Sequence, residues 1–145
     1  MSIFSTMNIS ATGMTAQRLR TDVIAQNIAN VNTTRTEDGT PYVRKTVVFS
    51  EKSSASFGNA LSNAMGISGS GVKVTSVVED TETAMKQEYD PSHPDADENG
   101  YVTYPNVDSV TEMTNLISAS RAYEANVTAF NATKAMALKG LEIGK

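Results

Sequence analysis

From its third residue the chain repeats a four-three spacing through Ile3, Met7, Ser10, Met14, Gln17, Thr21, Ile24, Ile28 and Val31, and six of these nine positions are apolar. Such a stripe is the seam of a heptad helix. The other end repeats it through Met113, Leu116, Ser120, Tyr123, Val127, Phe130, Lys134, Ala137 and Leu141, seven of nine apolar, with Asp108 or Ser109 placed to cap the start. The middle reads differently. Tyr42 to Phe49, Val72 to Val78 and Tyr101 to Tyr104 are β-branched and aromatic, as strands are. Residues 50–71 are rich in Ser, Gly, Ala and Asn and read as a loop that is mobile or ordered by a partner. The pattern therefore predicts a mainly α fold, with long N- and C-terminal helices paired as a coiled-coil-like bundle and a small β-rich, irregular middle. Three segments follow: an N-terminal helix within 1–34, a middle within 35–107 and a C-terminal helix within 108–145.

Composition sharpens this picture. Of 145 residues, 39% are hydrophobic and 6% aromatic, thin for a core that closes on itself. There is no Cys, so packing rather than disulfides or thiolate metal sites must hold the fold. The start lacks a basic n-region and a continuous apolar h-region, and no run is long enough to span a bilayer, so neither a cleaved signal peptide nor membrane insertion is expected. Charge is uneven: residues 35–105 hold six Lys/Arg against eleven Asp/Glu, and the two ends together hold six against five. No clustered basic face of the kind nucleic acid requires is present.

A single amphipathic helix of this length cannot offset the entropy of ordering it. The faces away from each seam carry Ala, Ser, Thr and Asn rather than the Lys and Glu of a helix bathed in water. Short uncharged side chains permit close helix approach, so both ends are expected to pack against neighbours and to fold on assembly. Polar Ser10, Gln17 and Thr21 within the seam point to a register-setting interface; the plainer alternative is an intramolecular helical hairpin.

Two short motifs lie on these helices. Asn27-Ile28-Ala29-Asn30-Val31-Asn32-Thr33 resembles the Asn-Leu-Ala-Asn-x-x-Thr signature of the flagellar rod, hook and hook-associated axial proteins, and Ser120-Arg121-Ala122-Tyr123-Glu124-Ala125-Asn126 resembles the segment near their C-termini. The run Tyr89 to Asp97, the stretches Gly100-Tyr101-Val102 and Pro105 to Asp108, and the ending Leu141 to Lys145 are similar to the short proximal rod members. The resemblance implies a non-enzymatic structural subunit of the bacterial flagellar basal-body rod, in the periplasm-spanning drive shaft that carries torque from motor to hook. It also implies partners: other copies of the chain, other flagellar rod proteins and the flagellar type III export apparatus. No cofactor, nucleic acid or small-molecule substrate is expected. The expected assembly interface is Ile3, Met7, Met14, Ile24, Asn27, Ile28, Asn30, Val31, Asn32 and Thr33 at one end, and Met113, Leu116, Arg121, Tyr123, Glu124, Asn126, Val127, Phe130 and Leu141 at the other.

Other readings compete for some residues. Asp95, Asp97, Asn99 and Gly100 spell the opening of a calcium loop, but its twelfth position is Asn106 rather than Glu and prolines flank it, so a turn closed by side-chain oxygens is the favoured reading. His93 is the only histidine and lies in no hydrolase or metalloprotease motif. Asn27, Asn30 and Asn32 either end the first helix, since Asn tolerates left-handed geometry, or satisfy backbone groups of an adjacent subunit. The alternative function is an exported helical adaptor or a calcium-stabilised binding module forming a small oligomer.

Overall fold

The computed structural model describes residues 3–52, 61 and 71–143. Its elements are α1 (Ile3–Ala29), β1 (Lys45–Glu51), β2 (Val72–Glu79), β3 (Lys86–Tyr89), β4 (Tyr101–Tyr104) and α2 (Ser109–Ile143). Two long terminal helices and a small β-containing middle are thus what the pattern predicts. Most of the Ser- and Gly-rich stretch 50–71 lies outside the described residues.

Asp108 starts α2. Its carboxylate accepts the Thr111 amide at 3.1 Å and the Thr111 hydroxyl at 2.6 Å, while its carbonyl accepts the first helical bond from the Glu112 amide at 2.9 Å. That geometry satisfies one of the orphan donors of the first turn. The other helix stops two residues before its apolar spacing does. Beyond Ala29 the backbone tightens, the Val31 amide bonding to the Ile28 carbonyl and the Thr33 amide to the Asn30 carbonyl. No non-glycine residue among those described has positive φ, so the asparagines do not end the helix in the left-handed region. Asn30 instead returns its Nδ2 to the Gln26 carbonyl at 2.9 Å and accepts the Thr33 hydroxyl at 3.1 Å.

The first strand begins at Lys45 rather than Tyr42 because the preceding amides are engaged elsewhere: Tyr42 donates to the Thr33 carbonyl and Arg44 to the Asn106 side chain. Strand β3, the polar run Lys-Gln-Glu-Tyr, has no apolar alternation for sequence to show. It exists through its partner. Antiparallel pairing with β4 matches Lys86 to Tyr104 and Tyr89 to Tyr101.

The chain forms two compact units. The first comprises Met1–Leu19, Val48–Ser76 and Ala119–Lys145. Within it α1 meets α2 where Gly13 faces Asn126: a methyl on Gly13 would lie 2.7 Å from Asn126 Oδ1, and Asn126 is itself held by its Nδ2 on the Ala122 carbonyl. The β1–β2 ribbon is closed here by the Lys52 amide on the Gly71 carbonyl, and the Val72 amide donates to Thr12 Oγ1 at 3.1 Å. The second unit comprises Arg20–Val47 and Val77–Ser118. Its interior holds Val23, Ile24, Val102, Pro105 and Val107, with Asn27, Asn106 and Glu112 buried among them.

The shielded face of α2 coincides with only part of its apolar seam. Glu112, Leu116, Ala119, Ala122, Asn126, Phe130, Thr133 and Ala137 are buried or half-buried, whereas the seam residues Met113, Ser120, Tyr123, Lys134 and Leu141 are exposed. Leu116 and Phe130 turn inward together with small side chains such as Ala119 and Ala122, which permit close backbone approach. Met113, Tyr123 and Leu141 are left outside, where the chain alone does not cover them.

Candidate functional site

Two features stand out: apolar side chains that one copy leaves open, and a buried polar cluster within the second unit. On α2, Val110, Met113 and Ile117 recur at helical spacing with at least half of each surface exposed, and near the C-terminus Met136 with Ile143 and Leu138 with Leu141 leave apolar side chains likewise exposed on two sides of the helix. Ile3 and Phe4 are exposed at the start of α1. Side chains of this size at i, i+3 and i+7 form a contact surface for another helix.

The residues expected at an assembly interface divide three ways. Ile3, Asn32, Met113, Arg121, Tyr123, Glu124 and Leu141 are exposed. Met7, Met14, Ile28, Asn30, Val31, Thr33, Leu116, Asn126, Val127 and Phe130 are half-buried. Ile24 and Asn27 are buried within their own chain, and this removes them from any surface. The reason for Asn27 is plain from its bonds.

Asn27 is fully buried, and its carboxamide stands in for a peptide group. Oδ1 accepts the Lys45 amide at 2.9 Å and Nδ2 donates to the Lys45 carbonyl at 2.8 Å, the two-bond exchange of one strand residue with another. The Tyr42 hydroxyl also donates to Oδ1 at 2.9 Å. The second proton of Nδ2 goes to Oε2 of the buried Glu112 at 2.9 Å. Oε1 of Glu112 accepts Arg44 Nε at 3.0 Å and Nη2 at 2.8 Å, with Asn115 Nδ2 at 3.3 Å. Every lone pair and proton of a buried charged group needs such a partner.

A second carboxamide repeats the device. Asn106 Oδ1 accepts the Arg44 amide at 2.9 Å, and its Nδ2 donates to the carbonyls of Asp80 at 2.7 Å and Thr83 at 3.1 Å. Arg44 Nη1 reaches Asp80 Oδ2 at 3.4 Å. Thus α1, the base of the ribbon, the strand β4 exit and α2 meet at Asn27, Arg44, Asn106 and Glu112. Sequence reasoning placed only the first of these among the expected site residues. The available signal was a lone acidic residue on the inward face of α2, in line with Ala119, together with an arginine opening a run of strand-forming residues.

Titration follows this geometry. The Tyr42 phenol is raised, first by burial and then by the carboxylates of Glu79 and Glu112. Burial opposes the Arg44 charge, but the hydrogen bond and charge of Glu112 outweigh it and raise the guanidinium further. Hydrogen bonds from Thr83 hold Asp80 below the carboxylate range, and Thr111, through its hydroxyl and then its amide, does so for Asp108. A depressed carboxylate contributes stability that is present above its unfolded value of about 3.9 and is lost as pH falls through the folded value. Asn keeps the capping oxygen without the proton. Asp108→Asn should therefore leave the melting temperature near pH 7 almost unchanged and make it fall less than the wild type's as pH drops below about 4. Thermal melts across that range give the answer, and parallel acid curves for the two chains would count against it.

The remaining candidates are engaged by their own loop. Asp97 Oδ1 accepts the amides of Asn99 at 2.9 Å and Tyr101 at 2.8 Å. Asp95 accepts the Thr34 hydroxyl at 2.8 Å and pairs with Arg35 at 3.4 Å. These are turn and loop-docking bonds. His93 Nδ1 accepts the Asp95 amide at 3.1 Å, and its ring lies edge-on to Tyr104. No described helix is long and apolar enough to cross a membrane.

Comparison with known proteins gives this architecture its context. The family model described as flagella basal body rod protein matches residues 7–35, and the one described as flagellar basal body rod FlgEFG protein C-terminal matches residues 98–143. The two matches fall on α1 and on β4 with α2. Over its full length the chain is 47% identical to the flagellar basal-body rod protein FlgC of Bacillus subtilis, covering all of that protein. It is 46% identical to the FlgC of Borreliella burgdorferi, over 99% of this chain and 98% of that one, and 41% identical to the FlgC of Salmonella typhimurium, end to end. At 41–47% identity over essentially the whole of both chains in each case, the chain belongs to the FlgC family of flagellar basal-body rod proteins.

Proposed function

We propose that the chain is a structural subunit of the flagellar basal-body rod, set in its proximal part. The observation that carries this is the end-to-end match to relatives named as rod proteins, with the family models falling on the helical ends. The physical reading is consistent with it. An axle works by resisting shear, and interdigitated side chains at crystal-like density do so because packed interiors are stiff. The open stripes of α2 and the start of α1 supply apolar surface for such interdigitation with other copies and other rod proteins. No chemistry is asked of any residue, and the chain acts as a non-enzyme. Export through the flagellar type III apparatus completes the reading.

Hydrogen exchange tests it. Purified full-length chain is compared with the same chain in isolated basal bodies. Amides of Ile3–Leu19 and Ala119–Ile143 should exchange quickly in the free chain and be strongly protected in the assembly. Equal protection in both states would show that these helices need no neighbour, and the rod reading would lose its physical basis.

A further inference from the structure

Charge is divided between the two compact units far more sharply than between ends and middle. The unit of Met1–Leu19, Val48–Ser76 and Ala119–Lys145 carries seven Lys/Arg against three Asp/Glu, a net +4. The unit of Arg20–Val47 and Val77–Ser118 carries five against thirteen, a net −8. Together they give the −4 of the whole chain.

The acidic unit also presents an uncovered surface suited to cations. Tyr89 and Tyr101 stand opposite each other on β3 and β4, their rings 5.3 Å apart and edge to face. They are 64% and 45% exposed. Beside them run Asp97 and Glu98, both exposed, in the connection between the strands. Asp97 is not free to swing away, since its Oδ1 is bonded to the Tyr101 amide at 2.8 Å. An aromatic face with a fixed carboxylate next to it favours a Lys or Arg, whose stem lies on the ring while its head meets the carboxylate.

We propose that this tyrosine and carboxylate face of β3–β4 docks the basic unit of a second copy of the chain, through exposed Lys134 of the neighbour's α2 and through Lys139, which exchanges its exposed partner Glu142, 2.6 Å away on its own helix, for the face. The occupant is argued from charge complementarity: the cationic surface the face requires is carried by the same sequence. A contact between different surfaces of two identical copies leaves both surfaces open for a further copy, so it can propagate as a helical assembly demands wherever its rotation does not close into a ring. The proposal rests on the rod reading and adds to it an electrostatic contact separate from the apolar stripes.

The test is self-association of the full chain by sedimentation equilibrium at about 0.05 M and about 0.5 M salt, where screening lengths differ severalfold. Association should weaken on the order of tenfold at the higher salt. The double variant Asp97→Lys, Glu98→Lys should associate with itself as weakly at low salt. Mixing it with the double variant Lys134→Glu, Lys139→Glu should restore association, since each then offers the other an opposite charge. Absence of self-association, indifference to salt or to charge reversal, or failure of the mixture to restore binding would each overturn the proposal. So would binding to another rod protein while copies of this chain ignore one another. Met113→Glu serves as the reference, because damage to the apolar stripe should abolish incorporation at every salt concentration and thereby separates failure of the rod reading from failure of this contact.

Discussion

Asn27→Asp should strongly destabilise the unit built on Arg20–Val47 and Val77–Ser118. The substitution is nearly isosteric, so it leaves the packing of Val23 and Ile24 in place and changes only bonds and charge. It removes the donor that serves the Lys45 carbonyl and Glu112 Oε2, and sets a second carboxylate 2.9 Å from the first in a site closed to water. Breaking a buried charge arrangement costs about 3 to 5 kcal/mol, against a total stability of about 5 to 15 kcal/mol for a domain. The urea midpoint of the full chain, followed by circular dichroism, should fall accordingly. Arg44→Met should cost a similar amount, because it abandons Glu112 without its cation. The double variant Arg44→Met, Glu112→Leu should recover part of that loss, since apolar replacement of a whole buried pair is often close to neutral. A loss below about 1 kcal/mol for Asn27→Asp, the scale of one ordinary hydrogen bond, would show that the cluster does not hold the unit.

Gly71→Ala should release the far end of the β1–β2 ribbon. Gly71 has a φ of 96°, a region that residues with a side chain adopt only at a cost. Its missing methyl would also run into the Thr12 hydroxyl, the group that accepts the Val72 amide. Backbone strain of about 1 to 3 kcal/mol and a lost hydrogen bond of about 1 kcal/mol both act in the same direction. The measurement is exchange of the Lys52 amide, which bonds to the Gly71 carbonyl and should become several times faster. In a Thr12→Ala background the further effect of Gly71→Ala should shrink, because the collision is gone while the backbone strain remains. Unchanged exchange at Lys52 would mean that the ribbon end is not held through Gly71.

Periodicity made the helices legible because each is long enough for many turns to repeat one message, and β2 and β4 were legible from β-branched and aromatic residues. Strand β3 was not, since Lys86–Tyr89 owes its conformation to β4 and carries no preference of its own. The heptad count on α2 found a real stripe, yet Met113, Tyr123 and Leu141 point outward and the inward row is one position away at Glu112, Ala119 and Thr133. Hydropathy cannot tell an intramolecular face from an intermolecular one when Leu116 and Phe130 on the first and Met113 and Leu141 on the second share one stripe. Asn27 was singled out by its motif, but its role was not, because the groups it satisfies are 18 and 85 residues away along the chain. Arg44, Asn106 and Glu112 went unnoticed for the same reason: ordinary surface residue types acquire meaning only when folding brings them together.

Among the described residues the ribbon of β1 and β2 has two strands, so each strand keeps one long side whose amides and carbonyls meet no third described strand in that sheet. Such sides are templates that any extended chain can copy, and crowding brings copies together. Val48, Val72, Val77 and Val78, all exposed, would make a mispairing adhesive. Lys45, Lys52 and Lys73 lie along or beside the same strands and repel a like neighbour. The ribbon thus carries its own guard against premature aggregation, and charge there bears on how long a subunit survives at high concentration before it is used.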